Sequence, residues 1–294
     1  MTTPIPSLGS RPKRRRLSPQ KQFWNGFHYT ILILASLSVV APLLLAFNSS
    51  FKTPLELLRG SRTDLPNSMA NLKNYLDFFE KQPVGLSFYN TLFVILLSLI
   101  IITLVGTMAA YVISRFRFPG RNLIMIAYVT VMAVPPITTQ VSLYQVMLTL
   151  GLVNTKWALI LLYSGADIVS LYIFIVYLNS ISVEIDESAR IEGASYFQIY
   201  WKVILPLMTP AISTVVILRT IYIYNDFVMP YLYTPRPGQS TVSMLLFKAS
   251  DALASSTEPV LMAGIVIVIA PAIVAFLFLQ RQIVSGVTRG AVKG

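Results

Sequence analysis

The sequence predicts an all-α polytopic membrane protein with six transmembrane helices and both termini in the cytoplasm. Three observations carry that prediction. Of the 294 residues, 55% are hydrophobic and only 12% are charged, whereas a water-soluble domain carries about a quarter charged residues. Apolar runs without a central charge recur at about 20 residues, the length of a membrane crossing. Lys and Arg gather at alternate ends of those runs, as the retention of basic loops on the cytoplasmic side requires.

The elements follow in order. A basic arm, residues 1–26, carries Arg11, Lys13, Arg14, Arg15, Arg16 and Lys21 ahead of a first span at Phe27–Phe47. That flank exceeds an ordinary signal peptide's, and no small-x-small cleavage site follows, so the run reads as a retained anchor. It opens a membrane domain over residues 27–281. The outer loop, residues 48–88, contains Asn71–Glu80, where Leu72, Tyr75, Leu76 and Phe79 share one helical face. A short surface helix is expected there, either packed over the bundle or offered to an external partner. Further spans fall at Tyr89–Ile113, Leu123–Met147, Trp157–Leu178, Ile204–Leu232 and Pro259–Leu279. Pro135 and Pro136 in the third and Pro271 in the sixth remove internal hydrogen bonds and predict kinks. Fourteen Lys and Arg residues then lie on the cytoplasmic side, eight on the opposite side, and Arg219 within the fifth span. In the tail, residues 282–294, Gly286, Gly290 and Gly294 predict an extended or turning segment.

Composition also excludes several functions. Cysteine is absent, which removes disulfides, zinc ribbons and thiol catalysis, and the lone histidine, His28, cannot build an imidazole metal site. No catalytic residue and no metal site are expected. The net charge of +11 sits beside apolar runs, so the bilayer, and no nucleic acid, is the expected partner. No G-x-x-x-x-G-K-[ST] phosphate loop occurs, so no nucleotide cofactor is expected on this chain.

The segment 182–205, on the cytoplasmic side between the fourth and fifth spans, is the most informative. Its first half is helical in character, with Ile185 and Ala189 four residues apart, and Gly193 suits a left-handed helix stop. Ser195 and Gln198 have the spacing of a capping box, which starts a second helix running into the membrane near Pro206 and Pro210. The expected object is a bent knuckle centred on Gly193. From periodicity alone, a loop lying on the bilayer surface remains the alternative.

Glu187-Ser188-Ala189, three residues, Gly193, nine residues, Val203, one residue and Leu205-Pro206 resembles the EAA motif of bacterial ATP-binding-cassette importer permeases. Ser188 and Val203 depart from the family's alanine and isoleucine. Tyr224-Asn225-Asp226-Phe227 with Pro230 is similar to a fifth-span segment of sugar-importer permeases, and Gln280–Gly294 resembles the tail of the maltose-type second permease subunit. The likeness covers essentially the whole chain. It implies a type I importer permease fold in a bacterial inner membrane, and carbohydrate uptake by alternating access. The implied partners are a second permease subunit, two ATPase subunits that hold ATP and Mg, and an extracytoplasmic solute-binding protein. For the knuckle it implies an ATPase contact through Glu187, Ser188, Ala189, Gly193, Ala194, Leu205 and Pro206. For the tail it implies a regulatory contact through Thr288, Gly290 and Lys293.

Ionisable groups at membrane depth must face protein or water. Here they are Asp167, Arg219 and Asp226. Arg219 and Asp226 are seven residues apart, so about 10 Å of rise separates them on one face and they cannot pair directly. One reading puts both, with Tyr222 and Asn225, on the wall of a sugar path, where the guanidinium suits an acidic saccharide; Asp167, after the Gly165-Ala166 break, joins that path or else marks close packing through small residues. In the other, a neighbouring helix neutralises Arg219 while Asp226 caps or braces a kinked span. An ion-coupled secondary transporter is the rival function, but no inverted repeat is evident and the knuckle has no purpose in it. An intramembrane enzyme would rest on Asp167 and Asp226 alone.

Overall fold

The computed structural model describes residues 19–165, 167–252 and 258–291, and among them all regular structure is helical. Helix α1 (Pro19–Ser50) precedes the short α2 (Pro54–Arg59) and α3 (Lys73–Lys81), then the long α4 (Val84–Arg115). The chain continues through α5 (Arg121–Met132), a 3₁₀ turn at Pro136–Thr139, α6 (Gln140–Thr149), α7 (Lys156–Ser164) and α8 (Ile168–Asn179). Two short helices, α9 (Glu184–Ile191) and α10 (Tyr196–Ile199), come next, then a π-helical segment at Tyr200–Ile204 and α11 (Leu205–Leu207). Helices α12 (Thr209–Asn225), α13 (Val228–Tyr233), α14 (Val242–Ala252) and α15 (Glu258–Ala291) complete the order.

Three helices are long and apolar enough to cross a membrane unbroken, over Trp24–Ser50, Val84–Arg115 and Glu258–Phe278. The remaining expected spans are not single helices. The fourth is α7 and α8, bent by 42°, and the fifth is entered through a 68° bend between Tyr196–Leu207 and Thr209–Asn225. The third is divided into α5, the 3₁₀ turn and α6, because Pro135 and Pro136 offer no amide to continue α5. Pro206 and Pro210 each occupy a first-turn position, where a missing amide costs nothing. By contrast, α15 runs on through Pro271.

The turning tail expected from its glycines is corrected: α15 stays helical through Gly286 and Gly290 to Ala291. Each glycine costs a helix about 1 kcal/mol, but extending an established helix needs no new nucleus. Thr288 and Gly290 therefore lie on this helix, while Lys293 and the basic cluster Arg11–Arg16 fall outside the described residues.

Helix α4 is the hub of the bundle. Towards α9 it packs Ile102 and Ala110 against Phe174, Leu178, Ile204, Met208 and Val215. Towards its amino end it packs Val94 and Leu99 against Leu159, Tyr163, Ile223 and Tyr233. There Asn90 Nδ2 donates to Gly238 O and Ser240 O at 2.9 and 3.0 Å, fixing the loop ahead of α14. Helix α1 packs along α15 and leaves Leu32, Ile33, Leu34 and Leu37 exposed. Only a bilayer or an apolar partner accommodates so long an uncovered apolar face.

The expected surface helix forms as α3, and its Leu72–Leu76–Phe79 side is not the one packed on the bundle. Asn74 and Phe78 are buried, whereas Leu72, Leu76 and Phe79 are exposed. Asn74 Nδ2 donates to Ser50 O and Lys52 O at 2.7 and 2.8 Å, so a polar side chain ties α3 to the end of α1. Phe78 lies directly over Gly264 of α15. A methyl group at Gly264 overlaps that ring, while one at Gly85 meets nothing within 4 Å. Gly264→Ala is therefore expected to cost about 1–3 kcal/mol, as overpacking does, and Gly85→Ala, in open space within α4, to stabilise by up to about 1 kcal/mol, in thermal unfolding of the purified chain.

Candidate functional site

The knuckle forms as its sequence requires. Helix α9 ends in a hydrogen-bonded turn in which Gly193 N donates to Arg190 O at 2.9 Å and Ala194 N to Ala189 O at 3.0 Å. Gly193 has φ +86°, a conformation that costs a residue with a side chain about 1–2 kcal/mol. The capping box then starts α10: Ser195 N donates to Gln198 Oε1 at 2.8 Å and Gln198 N to Ser195 Oγ at 3.4 Å. Arg190 reaches across the bend to lie 4.9 Å from the Tyr196 ring centre.

One face of this knuckle is anchored and the other is free. Asp186 is buried and pairs with Arg115 at the end of α4, Nε to Oδ2 at 3.0 Å, both side chains being at most 10% exposed. Arg115 Nη2 also donates to Ile181 O at 3.0 Å, binding the segment between α8 and α9 to the same guanidinium. Ala189, Ala194 and Leu205 pack against the core behind the knuckle, and the Tyr200 hydroxyl meets Thr107 Oγ1 at 2.8 Å. Outward face Glu187, Ser188, Ile191, Gly193, Phe197 and Pro206. Glu187 has no ion pair among the described residues.

The membrane-depth charges form a second, buried arrangement. Arg219 of α12 pairs with Asp167, Nε to Oδ2 at 3.0 Å, and its Nη2 donates to Tyr163 O at 3.1 Å. Asp167 caps α8 by accepting from Ser170 N at 3.4 Å, and it also accepts from the Ser170 hydroxyl. Tyr163 donates its hydroxyl to Asp226 Oδ2 at 2.9 Å. The other Asp226 oxygen accepts from Val228 N and Met229 N at 2.9 and 3.3 Å, at the start of α13. Of the two readings of these charges, pairing and capping account for Arg219, Asp167 and Asp226. Only Tyr222 and Asn225 remain broadly exposed, with Tyr222 against the Arg219 guanidinium at 4.8 Å.

Residues 102–289, which include the whole knuckle and both buried ion pairs, match the family of binding-protein-dependent transport system inner membrane components. The chain belongs to that family. The diacetylchitobiose uptake system permease protein NgcG of Streptomyces coelicolor is 30% identical over 264 residues, 89% of this chain and 87% of the relative. The sulfoquinovosyl glycerol transport system permease protein SmoH of Agrobacterium fabrum is 30% identical over 249 residues, 84% and 86% of the two chains. The fold is also that of a solved bacterial ABC transporter involved in the import of the acidic polysaccharide alginate. The TM-score is 0.79 at 22% identity, over 90% of this chain and 98% of that one. This inner membrane component therefore has the fold of an ABC importer permease.

Two residues of this permease carry structure that sequence reasoning passed over. Asp186, beside the motif's Glu187, is the buried acid of α9, and Arg115 served only as a marker of loop sidedness. The signal was a basic residue ending a span and an acid opening the knuckle, but their sequence separation hid the match. Removing one partner of a buried pair costs about 3–5 kcal/mol, whereas apolar replacement of both is near neutral. Arg115→Met should therefore lower thermal stability severely, and Arg115→Met with Asp186→Leu should recover most of the loss. A double-mutant coupling below about 0.5 kcal/mol would show the two sites to be independent.

Proposed function

We propose that this chain is one of two permease subunits of a sugar or oligosaccharide importer. Its knuckle is the contact through which ATPase subunits drive alternating access. The observation that carries this reading is an exposed Glu187 on a bent two-helix knuckle whose opposite face is fixed by the Asp186–Arg115 pair. A rigid, projecting lever with an uncompensated acid fits a basic cleft on a neighbouring subunit. Ser188, Ala189, Gly193, Ala194, Leu205 and Pro206 shape and seat that lever. ATP and Mg belong to the two ATPase subunits, consistent with a chain that has no phosphate loop. A second permease completes the path, and a solute-binding protein delivers the sugar on the far side.

Relatives named for diacetylchitobiose and for sulfoquinovosyl glycerol support the carbohydrate class. Tyr222 and Asn225 are the groups we assign to the sugar path: an aromatic face and an amide suit a sugar's apolar and polar edges. Arg219 is already balanced by Asp167, so it positions this wall. The path then takes a neutral saccharide, or an acidic one whose charge is met by the partner permease. Thr288, Gly290 and Lys293 remain proposed for a regulatory contact with the ATPases.

Glu187→Arg is expected to abolish ATPase copurification and uptake while leaving the thermal midpoint unchanged, since exposed substitutions stay within about 0.5 kcal/mol. Uptake by the chain alone in ATP-free vesicles would reject the importer reading. Tyr222→Ala and Asn225→Ala should instead keep the ATPase bound and lower solute uptake about tenfold, on the scale of a lost polar or stacking contact of 1–1.5 kcal/mol. Unaltered uptake in both would remove them from the path.

A further inference from the structure

Two cavities lie end to end along α5, and the transport reading uses neither. At the turn from α4 to α5, a cleft of about 600 Å³ is lined by residues that include Arg117, Arg121 and Asn122. Arg117 is exposed, and Arg121 is half-buried with its Nε donating to Ile113 O at 2.6 Å. Neither has a carboxylate partner among the described residues. No acidic residue occurs from Arg115 to Ile137, and Asp186, the acid that meets this end of α4, is taken by Arg115. The cleft is thus a concentration of positive charge with no internal anion.

Further along α5 the surroundings change to purely apolar. A groove of about 350 Å³ opens between α5 and α8, lined by Met125, Tyr128 and Val129 on one side and Val169, Tyr172 and Ile175 on the other. Val129 lies eight residues beyond Arg121, about 12 Å along a helix. Charge at the end of the helix and a hydrocarbon-lined trough leading away from it reproduce the order of an anionic phospholipid, headgroup then acyl chain. Arginine is suited to the headgroup because its planar fork binds phosphate oxygens bidentately. A transmembrane helix of another subunit would fill the groove but leave the two arginines unanswered.

We propose that the α4–α5 turn and the α5–α8 groove together bind one anionic phospholipid, with Arg117 and Arg121 holding its phosphate and the groove holding an acyl chain. This site is independent of the transported solute.

The test uses the full-length chain with its copurifying subunits. It is reconstituted in nanodiscs of dioleoyl phosphatidylcholine and dioleoyl phosphatidylglycerol, extracted in detergent, and its retained lipid is counted by native mass spectrometry. Phosphatidylglycerol should be retained preferentially. Arg117→Gln with Arg121→Gln should reduce its retention about thirtyfold, the scale for two basic residues facing anionic headgroups, whereas the corresponding pair of lysine variants should keep most of it. Val129→Phe, which fills the groove and leaves the charge, should also reduce retention. Equal retention of the two lipids, or retention indifferent to the glutamine pair, overturns the proposal. So does displacement of the lipid by millimolar inorganic phosphate, which marks a free-phosphate site. Photo-crosslinking of a thiol-reactive benzophenone on Tyr172→Cys to a second permease subunit overturns it as well, because a protein helix then occupies the groove.

Discussion

A helix broken inside a membrane frees backbone groups that no water can reach, so the protein must satisfy them itself. Most of the polar chemistry in the bundle follows from that constraint. The break between α7 and α8 leaves amides at the start of α8, and Asp167 accepts one of them. The break between α12 and α13 does the same, and Asp226 accepts two. Each carboxylate then becomes a buried charge needing its own partner. Arg219 balances Asp167, and the Tyr163 hydroxyl serves Asp226. Three of the groups that look in sequence like ligand-binding residues, Asp167, Arg219 and Asp226, are thus engaged with one another or with backbone at two helix breaks.

The knuckle obeys the same rule at the end of the bundle. Its polypeptide bends between α9 and α10, stopping at Gly193 and restarting at the Ser195 cap, and both points have their backbone groups paired locally. Local pairing makes the knuckle self-contained, so its attachment to the bundle rests on side chains. The Arg115–Asp186 pair provides charge, the Tyr200–Thr107 hydrogen bond provides direction, and Ala189, Ala194 and Leu205 provide close packing. None of these uses the outward face, which is left free for another protein.

What was legible in the sequence was what is local in the chain. The Ser195–Gln198 box, the left-handed Gly193 and the apolar runs that became α1, α4 and α15 are set by neighbours a few residues away. What was not legible depends on contacts distant in sequence. Asp186 looks as solvent-facing as Glu187 until Arg115 is placed behind it. Periodicity found the apolar face of α3 but left open whether it packs over the bundle, because that depends on the distant contacts of Asn74 with the end of α1 and of Phe78 with Gly264. The third span was read as one helix kinked at Pro135 and Pro136 because hydropathy continues across them, whereas the backbone there divides into α5, a 3₁₀ turn and α6. The tail glycines were weighed singly, without the long helix that precedes them.

The two buried ion pairs also explain how a push on the knuckle would reach the middle of the membrane under the proposed function. Helix α8 enters the knuckle from one side and α12 leaves it on the other. Asp167 at the far end of α8 is bonded to Arg219, 10 residues into α12. Twelve residues of α8 rise about 18 Å and the first ten of α12 about 15 Å. The ion pair therefore ties the far end of α8 to the middle of α12 and closes the loop of chain that runs through the knuckle. Under the proposed function, a loop closed in this way resists shear between α8 and α12 when the knuckle is pushed. Tyr163 extends this tie to Asp226, so the same push reaches the α12–α13 break, with Tyr222 and Asn225 beside it. Arg219 is thus engaged by Asp167 and the Tyr163 carbonyl, and under the proposed function its place in the membrane requires no charged solute.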